Sequence, residues 1–331
     1  MPMDVGLALP QYDHSVAGEA PLRWESVVSW ARRAEACGLS SVWLSDHLFL
    51  SLERYGGPRR ESFGFEPLVA LAGLARRTAT VRLGTLVLCS PLRPPAVLAK
   101  ALATLDVLSS GRLTVGLGAG WFEPEFRVAG VAFEGAGARL QQLAEAVTVL
   151  RGAFGGGPFS FEGRHHRTEG LRARPGPAQR PAPPIWVGGR GERLLAVAAR
   201  HADGWNDGGW SGTIDEYRRR VAVLERACRE AGRDPAGISR SVNRCVLVGE
   251  DEADLRRRWE RLVATSPPGV LRHATLEGYR AGRLVGTVEQ VRAQVAQWEA
   301  EGVSTLVVNL GALPFTVTAA DDLELLASAI R

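Results

Sequence analysis

The sequence has almost no lysine: Lys100 is the only one in 331 residues, although Lys and Arg together number 40. Arginine therefore carries nearly all the positive charge, and Schiff-base chemistry would rest on one residue inside a run of helical period. Cysteine is scarce too, with four residues. Cys37, Cys89, Cys228 and Cys245 lie far apart, without a CxxC or a histidine at ligand spacing. That is the pattern of reduced core thiols in a cytoplasmic protein. No HExxH, nucleophile elbow GxSxG or phosphate-loop GK[ST] occurs. His165 and His166 are adjacent, and on a strand they would point to opposite faces and could not share one metal ion. No apolar run approaches the roughly 20 residues of a membrane-spanning helix. The start, MPMDVGLALPQYD, has no basic region before an apolar stretch, so no signal peptide is evident. Basic tracts interleaved with aromatics are missing too, which argues against nucleic acid as a partner.

What is present is an ordinary globular balance, 45% hydrophobic and 23% charged, with a net charge of only +4. Apolar, β-rich runs alternate with longer stretches of helical period. The strand-like runs are DVGLAL from Asp4, SVWLSD from Ser41, VRLGTLVL from Val81, RLTVGLGAG from Arg112, PIWVGG from Pro184, GWND from Gly204, SRSVNRCVLVG from Ser239 and STLVVNL from Ser304. The helical runs between them include LRWESVVSWARRAEACG, where Trp24, Val27, Val28, Ala31, Ala34 and Ala36 recur on one face and Gly38 ends the pattern. Eight such alternations predict a single (β/α)8 TIM barrel over 1–331, with a doubly wound sheet as the runner-up. Two stretches interrupt the rhythm. Residues 155–183 form a Gly/Pro-rich insertion suited to a short hairpin. Residues 265–286, placed after the seventh strand, are expected to act as a lid or substrate loop.

In a barrel the carboxyl ends of the strands share one mouth. Asp46 and His47 stand at such an end; taken alone they suit either a helix cap with a satisfied histidine or a functional rim. The fourth run carries Gly116, Gly118 and Gly120 along one side, which either serves barrel packing or lets a flat ligand or another backbone approach. The fifth runs into Gly188, Gly189 and Gly191 and at once into a helix, an order that suits phosphate binding by backbone N–H groups.

Together VWLSDHL, LGTLVL followed by RPPAVLAKALATLDVLSSGRLTVGLGAGWFEPEF, and PPIWVGGRGERLLAVAARHADGWN resemble the luciferase-like monooxygenase superfamily. The resemblance is strongest to its branch of oxidoreductases using the deazaflavin coenzyme F420, and it runs from about Asp4 to Asn206. It implies a (β/α)8 barrel holding the coenzyme ring across its mouth. Asp46 matches the acid that hydrogen-bonds the ring, and His47 the imidazole beside the reactive ring carbon. Leu86–Val87 matches a non-proline cis peptide whose bulge backs the ring. Ala119, Gly120 and Trp121 match the fourth strand's lining; Gly188, Gly189 and Gly191 match the phosphate cradle; Asn206 and Gly208 match the sixth strand's contribution. In sugar-phosphate dehydrogenase members a glutamate acts as acid where this chain has Trp121, and Glu125, one helical turn on, substitutes for it only in part. Trp121 instead suits an apolar or aromatic substrate wall, or packing under the loop. Arg59 and Arg60 either meet the coenzyme's anionic tail or are merely solvated. The resemblance also implies a homodimer or larger homo-oligomer.

The expected activity is hydride transfer between F420 and a small organic substrate, with His47 handling one proton, since an imidazole gives or takes one near neutrality. The rivals are an FMN-dependent monooxygenase fed by a separate reductase, a non-catalytic flavin-binding or partner subunit, and a metal-dependent hydrolase, which lacks its ligand set.

Overall fold

The structure, a computed structural model, describes residues 3–330. Eight parallel strands form its centre. They are β1 (Asp4–Ala8), β2 (Ser41–Leu44), β3 (Arg82–Thr85), β4 (Leu113–Gly118), β5 (Ile185–Gly188), β6 (Gly204–Asp207), β7 (Ser239–Gly249) and β8 (Thr305–Asn309). Each pairs with its successor, β7 also reaching past β8, and β8 pairs with β1. The β4–β5 pairing, Ile185 opposite Val115, completes the circle. This is the (β/α)8 barrel that the alternating runs predict.

Large side chains fill the barrel because glycine faces them on the next strand. A Cβ at Gly84 would fall 2.1 Å from the Trp43 ring, and one at Gly204 would fall 2.5 Å from Trp186. The two indoles stack at 5.4 Å between centroids and occupy the axis with Ala8 and Val307. The outward residues of the strands meet a helical layer. In the helix Trp24–Ala36, Val27, Val28, Ala31 and Ala34 are buried, whereas Ala36 is exposed. Gly38, at φ +81°, ends it in the left-handed region where glycine bears no Cβ penalty.

The two interruptions take definite shapes. Residues 155–183 contain an antiparallel hairpin, Phe159–Glu162 with Arg167–Leu171. Its turn rests on Glu145, whose carboxylate accepts the backbone N–H groups of Arg164, His165 and His166. The two histidines thus sit in a turn rather than on a strand. Residues 265–286 do not follow β7 directly, because the helix Glu252–Thr265 intervenes. They include the short helix Leu276–Arg280 and the segment Leu284–Thr287, which pairs with the outer half of β7 from Val246 to Gly249. Their backbone crosses that of the loop after β2, with Gly269 against Gly56. That loop carries a ribbon of its own, Phe49–Ser51 against Glu61–Phe63. Among the described residues no helix is long and apolar enough to cross a membrane.

Candidate active site

A cavity of about 620 Å³ opens at the carboxyl rim, lined by residues of β4 to β7 and of the loops after β2, β3 and β8. It brings together Asp46, His47, Leu86, Val87, Ala119, Gly120, Trp121, Glu125, Gly188, Gly189, Asn206 and Gly208. Arg59, Arg60 and residues 265–286 are not part of its wall. Gly191 lies just beyond it, at the start of the helix Glu192–His201.

The chain leaves β2 under tight control. Gln11, fully buried, clamps Ser45 from both sides: its Oε1 accepts the Ser45 N–H at 2.7 Å and its Nε2 donates to the Ser45 carbonyl at 2.7 Å. Tyr12 presses its hydroxyl on Ser45 Oγ, and burial pushes that phenol well above its ordinary range. Asp46 and His47 follow with fixed and divergent directions.

Asp46 turns toward β3. Its carboxylate accepts the Cys89 N–H at 2.8 Å and a two-pronged pair of bonds from Arg93, at 2.5 and 2.9 Å. Such forked charge-assisted bonds are strong and directional. Burial works against the Arg93 cation, but Asp46 and Glu66 outweigh it and hold its pKa high. The acid expected to serve the ring thus also anchors the backbone just after the Leu86–Val87 bond. Burial, with the charges of Asp46 and Glu125, pushes the Cys89 thiol up to about 12. It stays protonated and is no nucleophile.

His47 turns the other way. Its Nδ1 lies 2.8 Å from Glu125 Oε2, while Glu125 Oε1 accepts the Leu48 N–H at 2.6 Å. Glu125 is 3% exposed and both of its oxygens are engaged. The chain leaving β2 thus engages both oxygens, while Glu125 also lines the cavity. The bond at Nδ1 leaves Nε2 as the second nitrogen of the ring. Trp121 packs edge-on against the imidazole at 5.4 Å.

Leu86–Val87 is a cis peptide, and the chain then rejoins β4, with Leu88 opposite Leu117 and Cys89 opposite Gly118. This explains the glycines of β4. A Cβ on Gly116 would strike the Thr85 carbonyl at 2.1 Å, and one on Gly118 would strike Val87 at 2.7 Å. A Cβ on Gly188 would likewise fall 2.8 Å from Val87. These glycines make room for the bulge, so of the readings open at the sequence level the close approach of another backbone accounts for Gly116.

The opposite rim is polar. Asn206, buried at the end of β6, donates to Ser241 Oγ at 2.8 Å and to Asn243 Oδ1 at 3.0 Å. Arg190 donates from Nε to Asp207 at 3.1 Å and from Nη2 to the Ser211 carbonyl at 3.0 Å. Asp207 is fully buried and also accepts from Arg220 at 2.9 Å. Burial lowers the neighbouring Arg244 to about 10, with Asp207 opposing the shift. No side chain caps the helix Glu192–His201, so its first N–H groups are free of such a partner. At Gly191, φ is −74° and a Cβ would meet nothing within 4 Å, so neither conformation nor packing demands a glycine there.

Sequence reasoning missed Arg93, Arg54, Arg190, Trp210 and Phe315, four of which line the cavity. Arg190 was visible in the run GGRG; Arg93 is joined to Asp46 across 47 positions, which no local pattern shows. Among the described residues no cluster of His, Cys, Asp and Glu is arranged to hold a metal.

Comparison with known proteins agrees with this architecture. The luciferase-like monooxygenase family profile matches residues 3–305. Over 319 residues the chain is 30% identical to the F420-dependent hydroxymycolic acid dehydrogenase of Mycobacterium tuberculosis, covering 93% of this chain and 82% of that protein. Its backbone superimposes on an F420-dependent secondary alcohol dehydrogenase with a TM-score of 0.78, covering 100% of both chains at 19% identity. It also matches the EDTA monooxygenase of Chelativorans sp. BNC1 with a TM-score of 0.81, over 100% of this chain and 92% of that one at 18% identity. At those identities the two structures speak for the fold. The chain belongs to the luciferase-like monooxygenase family.

Proposed function

We propose that this protein is an F420-dependent oxidoreductase, exchanging a hydride between the deazaflavin and a small organic substrate. The observation that carries the reading is the His47 imidazole, pinned through Nδ1 to the buried Glu125, in the same cavity as the Val87 bulge and the Gly188–Gly191 turn. Sequence relatives named as F420-dependent dehydrogenases support the choice of coenzyme.

The residues present fit such a group. A cavity of about 620 Å³ is within the usual range for one drug-sized ligand. The Val87 bulge gives an apolar floor, and the space beside Gly191 that a Cβ would fill, at an uncapped helix start, suits a phosphate. Arg190 adds a cation on the same side. When bound, the deazaflavin supplies two-electron hydride chemistry. The protein's part is to hold ring and substrate face to face, exclude water and manage one proton. His47 gives or takes that proton at Nε2, and Glu125 keeps the ring from turning and supports the imidazolium when it forms.

A fluorescence titration of the purified protein with F420 and FMN in parallel tests this. Saturable F420 binding, tighter than FMN, is the expected result. The alternative is an FMN-dependent monooxygenase fed by a separate reductase; preferential FMN binding with oxygen uptake on adding reduced FMN would establish it and remove the F420 assignment. On the favoured reading the chain works as a homodimer or larger homo-oligomer, which light scattering measures directly.

A further inference from the structure

We propose that the protein binds a small monovalent inorganic anion, of the size of chloride, on the buried edge of Arg244. The site stands behind the polar rim, outside the cavity wall, and needs no coenzyme to form. Arg244 is fully buried on β7, and its guanidinium lies 4.1 Å over the Trp298 ring of the helix Val288–Ala300. One nitrogen is engaged: Nη1 donates to the Asn243 carbonyl at 2.6 Å. Among the described residues, neither Nε nor Nη2 has an acceptor. These two nitrogens share one edge of the planar fork, the edge that grips an anion through two parallel N–H bonds.

A buried cation with two orphan donors is costly, which is why folded proteins pair such groups. The acid that acts on Arg244 is already engaged elsewhere. Asp207 accepts from Arg190 at 3.1 Å on Oδ1 and from Arg220 at 2.9 Å on Oδ2. Burial lowers the Arg244 pKa to about 10, with Asp207 opposing the shift and Arg190 and Arg220 adding to it. The group still carries its charge at neutral pH. The Tyr217 hydroxyl, whose ring packs edge-on against Trp298 at 5.5 Å, is another buried donor without an acceptor. This interior is rich in donors and short of negative charge.

Gly212 leaves the room. A Cβ built there would lie 3.6 Å from Arg244 Nη2 and 3.5 Å from Arg190 Nη2, ordinary contact distances. A methyl-sized volume, which is the size of a halide, is thus bordered by two guanidinium groups. Its third neighbour is Glu216 Oε2 at 3.2 Å, an oxygen that already accepts the Thr213 N–H at 3.0 Å in the cap of the helix Ile214–Glu230. Two cations against one carboxylate favour a single negative charge, while a larger oxyanion would press on Glu216. Because Arg190 also lines the cavity, an anion here braces the side chain that forms the polar rim.

The test is a chloride titration of the full chain without coenzyme, at an ionic strength held constant with sodium gluconate. The unfolding temperature should rise by about 2–3 °C and then level off, as mass action on one site requires. The quadrupolar NMR line of chloride should broaden in the same range. Arg244→Met fills the space with an uncharged chain and should abolish both responses. Glu216→Gln keeps an oxygen for the helix cap and deletes the carboxylate's repulsion, so chloride should bind about threefold tighter. A general salt effect would follow neither substitution. If chloride and gluconate act alike on the wild type, or Arg244→Met keeps the chloride response, or Glu216→Gln binds chloride no more tightly, the anion site is overturned. Should Arg244→Met fail to fold, the wild-type titration and Glu216→Gln decide between them.

Discussion

The two sides of the barrel mouth are made of different chemistry. The side built by the loops after β2 and β4 is a bank of rings, His47, Trp121, Phe122, Phe49 and Phe63. The side built by β5, β6 and β7 is glycine and charge: the Gly188–Gly191 turn, Arg190, Asp207, Arg220 and Arg244. On the second side Arg190 and Arg220 bond the buried Asp207, and Arg244 lies within reach of the same carboxylate. Cations beside a helix start without a side-chain cap invite an anion; the half-exposed Trp121 and Phe63 offer apolar surface. On the proposed reading the coenzyme's anionic tail lies against the polar rim, with His47 on the aromatic one.

The largest expected effect lies on the aromatic rim. His47→Ala should lower kcat by about 10²–10⁴-fold, the usual worth of a positioned acid or base, while the F420 dissociation constant stays close to wild type. Stopped-flow reduction and a fluorescence titration read the two quantities separately. If affinity collapses with turnover, His47 belongs to coenzyme binding and the division of labour between the rims is wrong. Next comes the anchor beneath the bulge. Arg93→Ala leaves Asp46, 4% exposed, with a buried charge and only the Cys89 N–H as partner, and should cost about 3 kcal/mol in denaturant unfolding. An undiminished unfolding midpoint would mean that the pair does not hold the bulge.

A smaller effect is pH-dependent and specific to the aromatic rim. His14 stacks on Tyr12 at 5.5 Å, and its Nδ1 lies 2.6 Å from Ser62 Oγ in the ribbon that carries Phe63. Burial lowers this imidazole from 6.5 to about 4, against the pull of Asp13. The folded state therefore refuses a proton that the unfolded chain accepts. The stability involved is complete above about pH 6.5 and is lost as pH falls toward about 4, amounting to at most about 3 kcal/mol. Melting temperature across that window should fall more steeply for wild type than for His14→Gln; equal slopes would place the acid sensitivity elsewhere.

The frame of this contrast was legible in the sequence, because strand and helix periods are local. All eight β-rich runs became barrel strands, and the runs ending in SDH and GGRG marked two points on the rim. The partners were not legible. Glu125 bonds His47 across 78 positions, a pairing that its spacing to Trp121 does not show. The glycines of β4 looked like room for a ligand, yet the groups that exclude a Cβ there are Thr85 and Val87 on the neighbouring strand. Arg59 and Arg60 looked as suitable as any cation for an anionic tail. Only the fold shows Arg59 projecting into solvent, its side chain 91% exposed, while Arg190 lines the cavity.

The smallest effect is the most discriminating for the polar rim. Arg190→Gln removes a cation without unseating Asp207, which keeps its bond from Arg220 at 2.9 Å, so folding should be preserved. Loss of one charge-assisted contact to an anion should raise the F420 dissociation constant about tenfold, and the salt dependence of binding should flatten at the same time, because a screened attraction has been deleted. The deazaflavin chromophore lacking its phosphodiester tail supplies the control: it should bind wild type and variant equally. If the variant loses as much affinity for the truncated chromophore as for intact F420, Arg190 does not meet the tail. The charges around Asp207 would then serve to tie β5, β6 and β7 together, and the difference between the two rims would describe how the barrel is braced rather than what it binds.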